Sequence, residues 1–220
     1  MSKINSKIRK LFLFDLDGTV LDTVDDISAA LNHTLHAYDI DKKYSADETK
    51  MMLGNGLRNL LKKALGNDVE AYSEDMYREL IGFYYNNCDT YTRPYPGMQE
   101  TIDELIREKA ETAIISNKLH SIAVKLINEF YPEKFSCIYG ASREWPSKPD
   151  PFLVNETIKS HNIDKDNVFY IGDSDVDIET AHNAGIKCIS VAWGFRSEDF
   201  LWAHNADTII QKPSDIIKFL

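Results

Sequence analysis

Two aspartates one residue apart follow a short apolar run near the start of the chain, in the segment LFLFDLDGTV at residues 11–20. An uninterrupted apolar run bounded by turn residues predicts a buried strand of the kind found in parallel sheets. Asp15 and Asp17 then lie at its carboxyl end, and Gly18 permits a sharp turn. Carboxylates at the lip of a buried strand are unfavourable unless something binds them, and divalent cations take oxygen ligands. The segment indicates a cation site, with capping of the next helix by Asp17 or Thr19 as the alternative.

Polar residues with catalytic potential also follow three later apolar segments. They are Ser116, Asn117 and Lys118 at the end of 112–116, Lys148 in the loop after 136–139, and Asp173 and Asp177 after 168–171. Each taken alone also fits a helix cap, a surface lysine or a solvated acidic turn. Because ligands of open parallel sheets bind beyond the carboxyl ends of the strands, the four groups together predict one site.

Alternating strands and helices are predicted from residue 93 onwards. The predicted strands are 112–116, 136–139, 168–171, 186–192 and 208–210, and the predicted helices are 98–109, 120–130, 149–161, 177–184 and a last one from 214. Units of this length indicate an α/β fold with a doubly wound parallel sheet, which is Rossmann-like.

A helical insertion is predicted between the first strand and this alternating region. Helices are expected at 22–38, at 47–65 with an interruption at 54–56, and at 69–87, with no strand between residues 20 and 91. A crossover in an α/β sheet needs only one helix, so three consecutive helices form a domain of their own. The predicted division is a core domain of residues 1–20 and 93–220 and a cap domain of residues 21–92. Residues 93–97 form the return linker.

Composition excludes several classes of protein. The 220 residues are 43% hydrophobic and carry a net charge of −10, which indicates a globular protein and argues against nucleic acid or an anionic membrane surface as partner. Cys88, Cys137 and Cys188 lie too far apart for a zinc or redox motif and fit a reducing compartment. The first apolar run is too short for a signal peptide, and no segment has transmembrane length. We expect a cytoplasmic protein, and the net charge does not exclude a small anionic substrate, which needs only a few local cations.

The four polar groups resemble, in order and residue type, the four motifs of the haloacid dehalogenase (HAD) superfamily. The first motif matches FDLDGTV at residues 14–20, and the fourth matches the pattern from Gly172 to Asp177. The predicted insertion resembles the helical C1 cap of that superfamily. Within it, the chain is most similar to the phosphoglycolate phosphatases and their relatives, through GNG at 54–56, YPG at 95–97 and KPDP at 148–151.

This resemblance implies Mg²⁺-dependent hydrolysis of a small phosphate monoester through an aspartyl-phosphate. Asp15 is then the nucleophile and Asp17 the general acid and base. The carboxylates of Asp15 and Asp173 and the main-chain carbonyl of Asp17 are the implied metal ligands. An acid two residues after the nucleophile favours phosphatases and phosphomutases over dehalogenases and P-type ATPases.

The resemblance also implies roles for the other polar residues. Ser116 and Lys148 are expected to bind the phosphoryl group, and Asp177 is expected either to bind the metal through water or to orient Lys148. The expected substrate contacts are Gly18, Thr19, Asn117, Lys118, Gly54 and Arg58. Two of these stay open, because Arg58 also fits a solvated arginine beside a helix kink and Lys118 carries a similar ambiguity.

Three alternatives remain at the level of sequence. One is a phosphomutase of the β-phosphoglucomutase type, and another is a HAD hydrolase of pyrophosphate, a nucleotide or a sugar phosphate. The third is a non-catalytic binding protein on the same scaffold, which should have lost a motif residue, whereas this chain keeps all of them. The sequence makes no prediction of oligomeric state.

Overall fold

A six-stranded parallel sheet forms the centre of the computed structural model, which describes residues 9–220. The strand order is β5-β4-β1-β6-β7-β8. These strands are β1 Leu11–Phe14, β4 Glu111–Leu119, β5 Ile138–Ala141, β6 Val168–Gly172, β7 Lys187–Val191 and β8 Thr208–Ile210. The predicted doubly wound α/β fold is therefore confirmed. Residues 1–8, which begin the predicted core domain, lie outside the described part of the chain.

Strand β1 is buried on both faces, as its apolar run predicts. Phe12 and Phe14 pack into one hydrophobic cluster, and Leu11 and Leu13 pack into a second cluster on the opposite face. Side chains alternate between the two faces of a strand, so helices must cover both sides of the sheet. This burial fixes the direction of β1 and places residues 15–17 at its carboxyl end.

Nine α-helices surround the sheet or form the insertion within residues 9–220. They are α1 Val24–Ala37, α2 Ala46–Met52, α3 Gly56–Leu65, α4 Glu74–Asn87, α5 Met98–Arg107, α6 His120–Phe130, α7 Phe152–His161, α8 Asp175–Ala184 and α9 Glu198–Ala203. Short 3₁₀ helices cover Gly66–Ala71, Lys165–Asn167 and Pro213–Phe219. None of the described helices combines the length and the apolar character that crossing a bilayer requires.

Several predicted boundaries differ from the structure for local reasons. Helix α4 starts at Glu74 rather than at residue 69, because the Ser73 side chain accepts a hydrogen bond from the Met76 amide and caps it. Helix α7 starts at Phe152, three residues after the predicted start. The segment from residue 213 to the end is a 3₁₀ helix rather than an α-helix.

The insertion is joined to the rest of the chain by a two-stranded antiparallel ribbon. Strand β2, Leu21–Asp22, pairs with β3, Arg93–Pro94, so the outgoing and returning segments lie side by side. The prediction of no strand between residues 20 and 91 was wrong at β2, since two residues are too short to give a periodic signal. Helices α1 to α4 lie between the two strands of the ribbon. The domain boundary at residues 21–92 stays a prediction.

Candidate active site

A cavity lies between the carboxyl edge of the sheet and the inserted helices. Most of the site residues predicted from the sequence line it. They are Asp15, Asp17, Gly54, Ser116, Asn117, Lys118, Lys148 and Asp173. Apolar side chains from the insertion, including Ile27, Leu53 and Leu57, form the facing wall. The topology thus brings together residues that are more than one hundred positions apart in the sequence.

Lys148 lies between two carboxylates in the interior of the site. Its Nζ atom is 2.9 Å from Asp15 Oδ1 and 2.6 Å from Asp177 Oδ1, and its side chain is only 4% exposed. Burial alone would lower the pKa of Lys148, but the charges of Asp15 and Asp177 outweigh it and raise that pKa well above its ordinary value. Lys148 therefore stays a cation throughout the physiological pH range.

Both carboxylate oxygens of Asp177 are already used within the protein. Oδ1 accepts a hydrogen bond from Lys148, while Oδ2 accepts from the amides of Asp173 and Ser174 at 3.2 and 3.1 Å and from the Ser174 hydroxyl at 2.6 Å. This pattern also begins helix α8 with a capping box. Of the two predicted roles of Asp177, these bonds favour the orientation of Lys148.

Three buried carboxylates form a cluster that can hold a cation. Asp15, Asp173 and Asp177 each offer an oxygen, and these oxygens all lie within 4.8 Å of one another. Asp15 Oδ1 is buried and has no hydrogen-bond donor despite the nearby ammonium group. Among the described residues, Lys148 is the cation in direct contact with this cluster, so three carboxylates and one ammonium group leave two formal negative charges, which one Mg²⁺ ion would balance. Asp177 already accepts four hydrogen bonds, whereas Asp173 accepts two and Asp15 has only its ion pair with Lys148, so Asp15 and Asp173 fit better as direct ligands.

The raised pKa of Asp173 is consistent with a site that holds a cation. Burial raises the pKa of Asp173 well above its ordinary value, and the charges of Asp177 and Asp15 raise it further. The amide of Phe195 donates a 2.6 Å hydrogen bond to Asp173 Oδ2, and together with the charge of Arg196 it offsets part of this rise.

Gly18 and Thr19 support Asp173 and do not line the cavity, although the sequence predicted both as substrate contacts. Gly18 has a φ of +78°, and a Cβ atom there would lie 2.3 Å from Asp173 Oδ2. Only glycine tolerates this approach in this conformation. The Thr19 hydroxyl lies 3.5 Å from Asp173 Oδ1. These residues form the cradle in which the Asp173 carboxylate lies.

Asp17 is held by one of its two carboxylate oxygens. Its Oδ1 accepts hydrogen bonds of 2.7 Å from the Thr23 hydroxyl and from Lys118 Nζ, whereas no residue of 9–220 donates to Oδ2. Lys118 also donates to the hydroxyl of Tyr84, on helix α4, at 2.5 Å. Its side chain is 2% exposed. Lys118 is thus paired with Asp17 in this structure, and the sequence interpretation of Lys118 as a substrate contact did not foresee this pairing.

Ser116 and Asn117 differ in how much of their hydrogen-bonding capacity is free. The Ser116 hydroxyl accepts a bond from the Lys118 amide at 3.2 Å, which leaves its own hydrogen available to a ligand. The Asn117 side chain instead binds main-chain groups. Its Oδ1 accepts from the Lys148 amide at 2.9 Å, and its Nδ2 donates to the carbonyls of Lys148 at 3.1 Å and Gly54 at 3.2 Å. Asn117 therefore fixes the Lys148 loop.

Arg58 is not brought to the cavity. Its guanidinium donates to Glu74 and to the hydroxyl of Tyr72, and it stacks 4.0 Å from the centroid of the Tyr77 ring. All of these partners lie in the insertion. Arg58 borders a neighbouring groove, which is closer to the solvated arginine that the sequence allowed as the alternative, although its pairing within the insertion was not predicted.

Arg196 lines the cavity and was not singled out from the sequence. It follows β7 in the segment WGFR at residues 193–196, at the same carboxyl edge as the other polar groups. The amide of Phe195 and the indole of Trp193, which donates to the Thr19 carbonyl at 3.1 Å, hold this segment against the site. A cation three to five residues past a predicted strand end was the signal that could have found it.

This fold and constellation define a hydrolase of the haloacid dehalogenase type. The chain matches the family model for haloacid dehalogenase-like hydrolases over residues 12–191, and it belongs to this family. The predictions of superfamily, fold and enzyme are thereby confirmed.

Similar proteins within this family are described as phosphoglycolate phosphatases. The chain is 31% identical to a phosphoglycolate phosphatase of Aquifex aeolicus over 96% of each chain. It is 32% identical to a phosphoglycolate phosphatase of Agrobacterium fabrum, over 84% of this chain and 81% of the relative. Among solved structures, one described as a predicted phosphoglycolate phosphatase of Haemophilus somnus superposes with a TM-score of 0.85 at 25% identity, covering 96% of this chain and 97% of that one.

Proposed function

We propose that this protein is a Mg²⁺-dependent phosphatase that hydrolyses a small phosphate monoester through an aspartyl-phosphate on Asp15. The observation that carries the proposal is the buried cluster of three carboxylates and one ammonium group at the end of β1. Phosphate esters repel nucleophiles because they are anionic, so catalysis requires cationic groups and a positioned attacking atom. The cavity contains both kinds of group, the ammonium of Lys148 and the carboxylate of Asp15. The predicted cap of residues 21–92 covers this cavity in the proposal.

Asp15 is the proposed nucleophile. Its carboxylate lies at the rigid end of a fully buried strand, where the Asp15 amide donates to the Ile171 carbonyl at 2.9 Å. The ammonium of Lys148 holds one oxygen and remains close enough to offset charge on a transferring phosphoryl group. The free hydroxyl hydrogen of Ser116 provides a further donor to that group.

Asp17 is the proposed general acid and base. Thr23 and Lys118 hold its Oδ1, so its Oδ2 is free to carry a proton to the leaving oxygen and later to take one from the attacking water. Its side chain is 21% exposed, which gives it the access to solvent that proton exchange needs.

Mg²⁺ is the proposed cofactor, held by the carboxylates of Asp15 and Asp173 and, as the family likeness implies, by the carbonyl of Asp17. When bound, it supplies positive charge that offsets the phosphoryl oxygens and orients them toward Asp15. Gly18, Thr19 and the Phe195 amide hold the Asp173 carboxylate for this task, and Asp177 keeps Lys148 in place.

Phosphoglycolate is the proposed substrate type. The names of the relatives support it, and so does the apolar wall of Ile27, Leu53 and Leu57, which offers few partners to the hydroxyl groups of a sugar. The proposed location is the cytoplasm, because the three free thiols at Cys88, Cys137 and Cys188 fit a reducing compartment. The net charge of −10 supports the absence of a nucleic-acid partner.

Asp15→Asn tests the mechanism. We expect it to abolish Mg²⁺-dependent release of phosphate from phosphoglycolate and from an aryl phosphate, with an unchanged circular-dichroism spectrum, because an amide cannot act as the nucleophile. Asp47→Asn, at a side chain that is 93% exposed, is the matched control and should retain full activity. Mass spectrometry of a rapidly quenched reaction should find phosphate on a peptide containing residue 15. Turnover by Asp15→Asn at the wild-type rate would refute the mechanism, and transfer of phosphate to a second sugar position without release would indicate a mutase.

A further inference from the structure

Arg196 is a nearly buried cation without a close carboxylate partner. Its side chain is 9% exposed, and its guanidinium donates 2.7 Å hydrogen bonds to two neutral groups, the carbonyls of Lys50 and Leu53. Its one ion pair within residues 9–220 is a long one, with Asp175, whose Oδ1 lies 4.0 Å from Arg196 Nε and whose side chain is 40% exposed. The charge of Arg196 also acts on the buried carboxylate of Asp173. A buried charge is unfavourable unless an opposite charge or full hydrogen bonding compensates it.

The other cations near the site differ from Arg196 in this respect. Lys148 is in direct contact with two carboxylates, and Lys118 is in direct contact with Asp17. Arg58, which the sequence left open as a substrate contact, is paired with Glu74. Of the cations that line the cavity, Arg196 is thus the one that has no carboxylate of residues 9–220 within hydrogen-bond distance.

The guanidinium of Arg196 also keeps free donors. An arginine carries five N–H groups, and the two bonds to the carbonyls at the end of α2 use two of them. These bonds fix the position of the guanidinium beside Gly54, where Nη2 lies 3.6 Å from the position of a Cβ atom. The remaining donors match a carboxylate, which arginine binds through two parallel hydrogen bonds. The apolar cap wall next to it strengthens such a contact by excluding water.

We propose that Arg196 determines specificity by binding a second anionic group of the substrate, a carboxylate close to the phosphate ester. The inference rests on the proposed phosphatase activity and deepens it. The substrate class is then a short phosphorylated hydroxy acid. Because Arg196 belongs to the segment after β7 and also holds two cap carbonyls, the contact forms at the junction of core and cap and not on the cap alone.

The test compares two substrates that share a primary alkyl phosphate and differ in charge. Phosphoglycolate carries the carboxylate, and ethyl phosphate has a methyl group in its place. For Arg196→Gln we expect the ratio of kcat/KM for phosphoglycolate to kcat/KM for ethyl phosphate to fall about 10- to 100-fold, the range expected for a lost charge-assisted hydrogen bond. Arg196→Lys, which keeps the charge without the planar fork, should recover part of this ratio.

Two further variants separate this proposal from others. Arg78→Gln, at an exposed residue remote from the cavity, is the surface control and should keep the wild-type ratio. An equal loss of kcat/KM on both substrates in Arg196→Gln would overturn the proposal, because it would mean that Arg196 only fastens the cap. A drop in the ratio for Arg58→Gln and not for Arg196→Gln would also overturn it. Absence of phosphate release by the wild-type protein from any phosphoester would refute the proposed function itself, which is a distinct outcome.

Discussion

Replacing Lys148 with methionine removes a buried ammonium group from between Asp15 and Asp177. Methionine fills a similar volume, so the main consequence is electrostatic. Asp177 is fully buried and loses the donor to its Oδ1, which lies 2.6 Å from Nζ in the wild-type protein. Asp15 also loses a partner at 2.9 Å from its Oδ1, and that atom is buried although the side chain as a whole is 11% exposed.

The expected loss follows from the burial of the two carboxylates. Breaking a buried ion pair by removing one partner costs about 3–5 kcal/mol, because the other charge is left uncompensated. Since Asp177 is fully buried and the Asp15 atom that loses the contact is buried as well, we expect a decrease of about 4 kcal/mol in the free energy of unfolding at neutral pH without Mg²⁺. Adding Asp177→Asn to Lys148→Met removes the orphaned charge and should recover about 2 kcal/mol.

The pH dependence of this difference has a definite sign. Burial raises the pKa of Asp177, and Lys148 lowers it, so the pKa rises further when Lys148 is removed. A carboxyl group whose pKa is higher in the folded than in the unfolded state favours folding when it is protonated. Lys148→Met should therefore regain stability relative to wild type in mildly acidic buffer. Lys148 itself, with a raised pKa, does not lose its charge between neutral pH and its ordinary pKa.

Urea unfolding in buffer with a chelator, at neutral and at mildly acidic pH, measures these quantities. Lys159→Met is the matched control, since the Lys159 side chain is 80% exposed and lies 3.8 Å from Glu156. We expect the control to change stability by less than about 0.5 kcal/mol. If Lys148→Met were as stable as this control at neutral pH, the description of Lys148 as a charge compensator would be wrong.

Three other perturbations test separate parts of the site. Lys118→Met should reduce kcat/KM more for an alkyl phosphate than for an aryl phosphate with a good leaving group. The reason is that Lys118 positions the general acid Asp17, and only a poor leaving group needs its proton. Equal losses of kcat/KM on the two substrates would contradict this role. Gly18→Ala should destabilise the protein by about 1–3 kcal/mol and raise the Mg²⁺ concentration needed for activity, as measured by metal titration, since the new methyl group would displace the Asp173 carboxylate. Mg²⁺ should raise the Tm of the wild-type protein but not that of Asp173→Asn. The increase in Tm should be smaller in acid, because burial raises the pKa of Asp173 and protons then compete with the metal for its carboxylate.

The sequence predicted most of the polar residues that line the cavity, because strand ends at one edge of a parallel sheet converge whatever the details of packing. Asp15 and Asp173 could be paired in this way from their positions alone. Lys118 could not be assigned a partner in the same manner. Its contact with Asp17 depends on the length of β4, which continues to Leu119 beyond the predicted end at residue 116.

Arginine side chains were the least predictable part of the site. Arg58 is long enough to reach several partners, and its contact with Glu74 depends on how α3 packs against the start of α4. Arg196 became visible only once the loop after β7 was placed against the insertion, since its partners Lys50 and Leu53 are more than 140 positions away. Local patterns carry no information about such contacts, which tertiary packing alone determines.

The carboxamide of Asn117 has a consequence for how the two parts of the molecule communicate. Its single amino group donates to Gly54 of the cap and to Lys148 of the catalytic loop, so rotating this amide breaks both hydrogen bonds at once. Docking of the cap and ordering of the catalytic loop are therefore thermodynamically linked, and each favours the other by the same free energy. A ligand that favours contact between the cap and the sheet should therefore also favour the position of Lys148 that the structure shows.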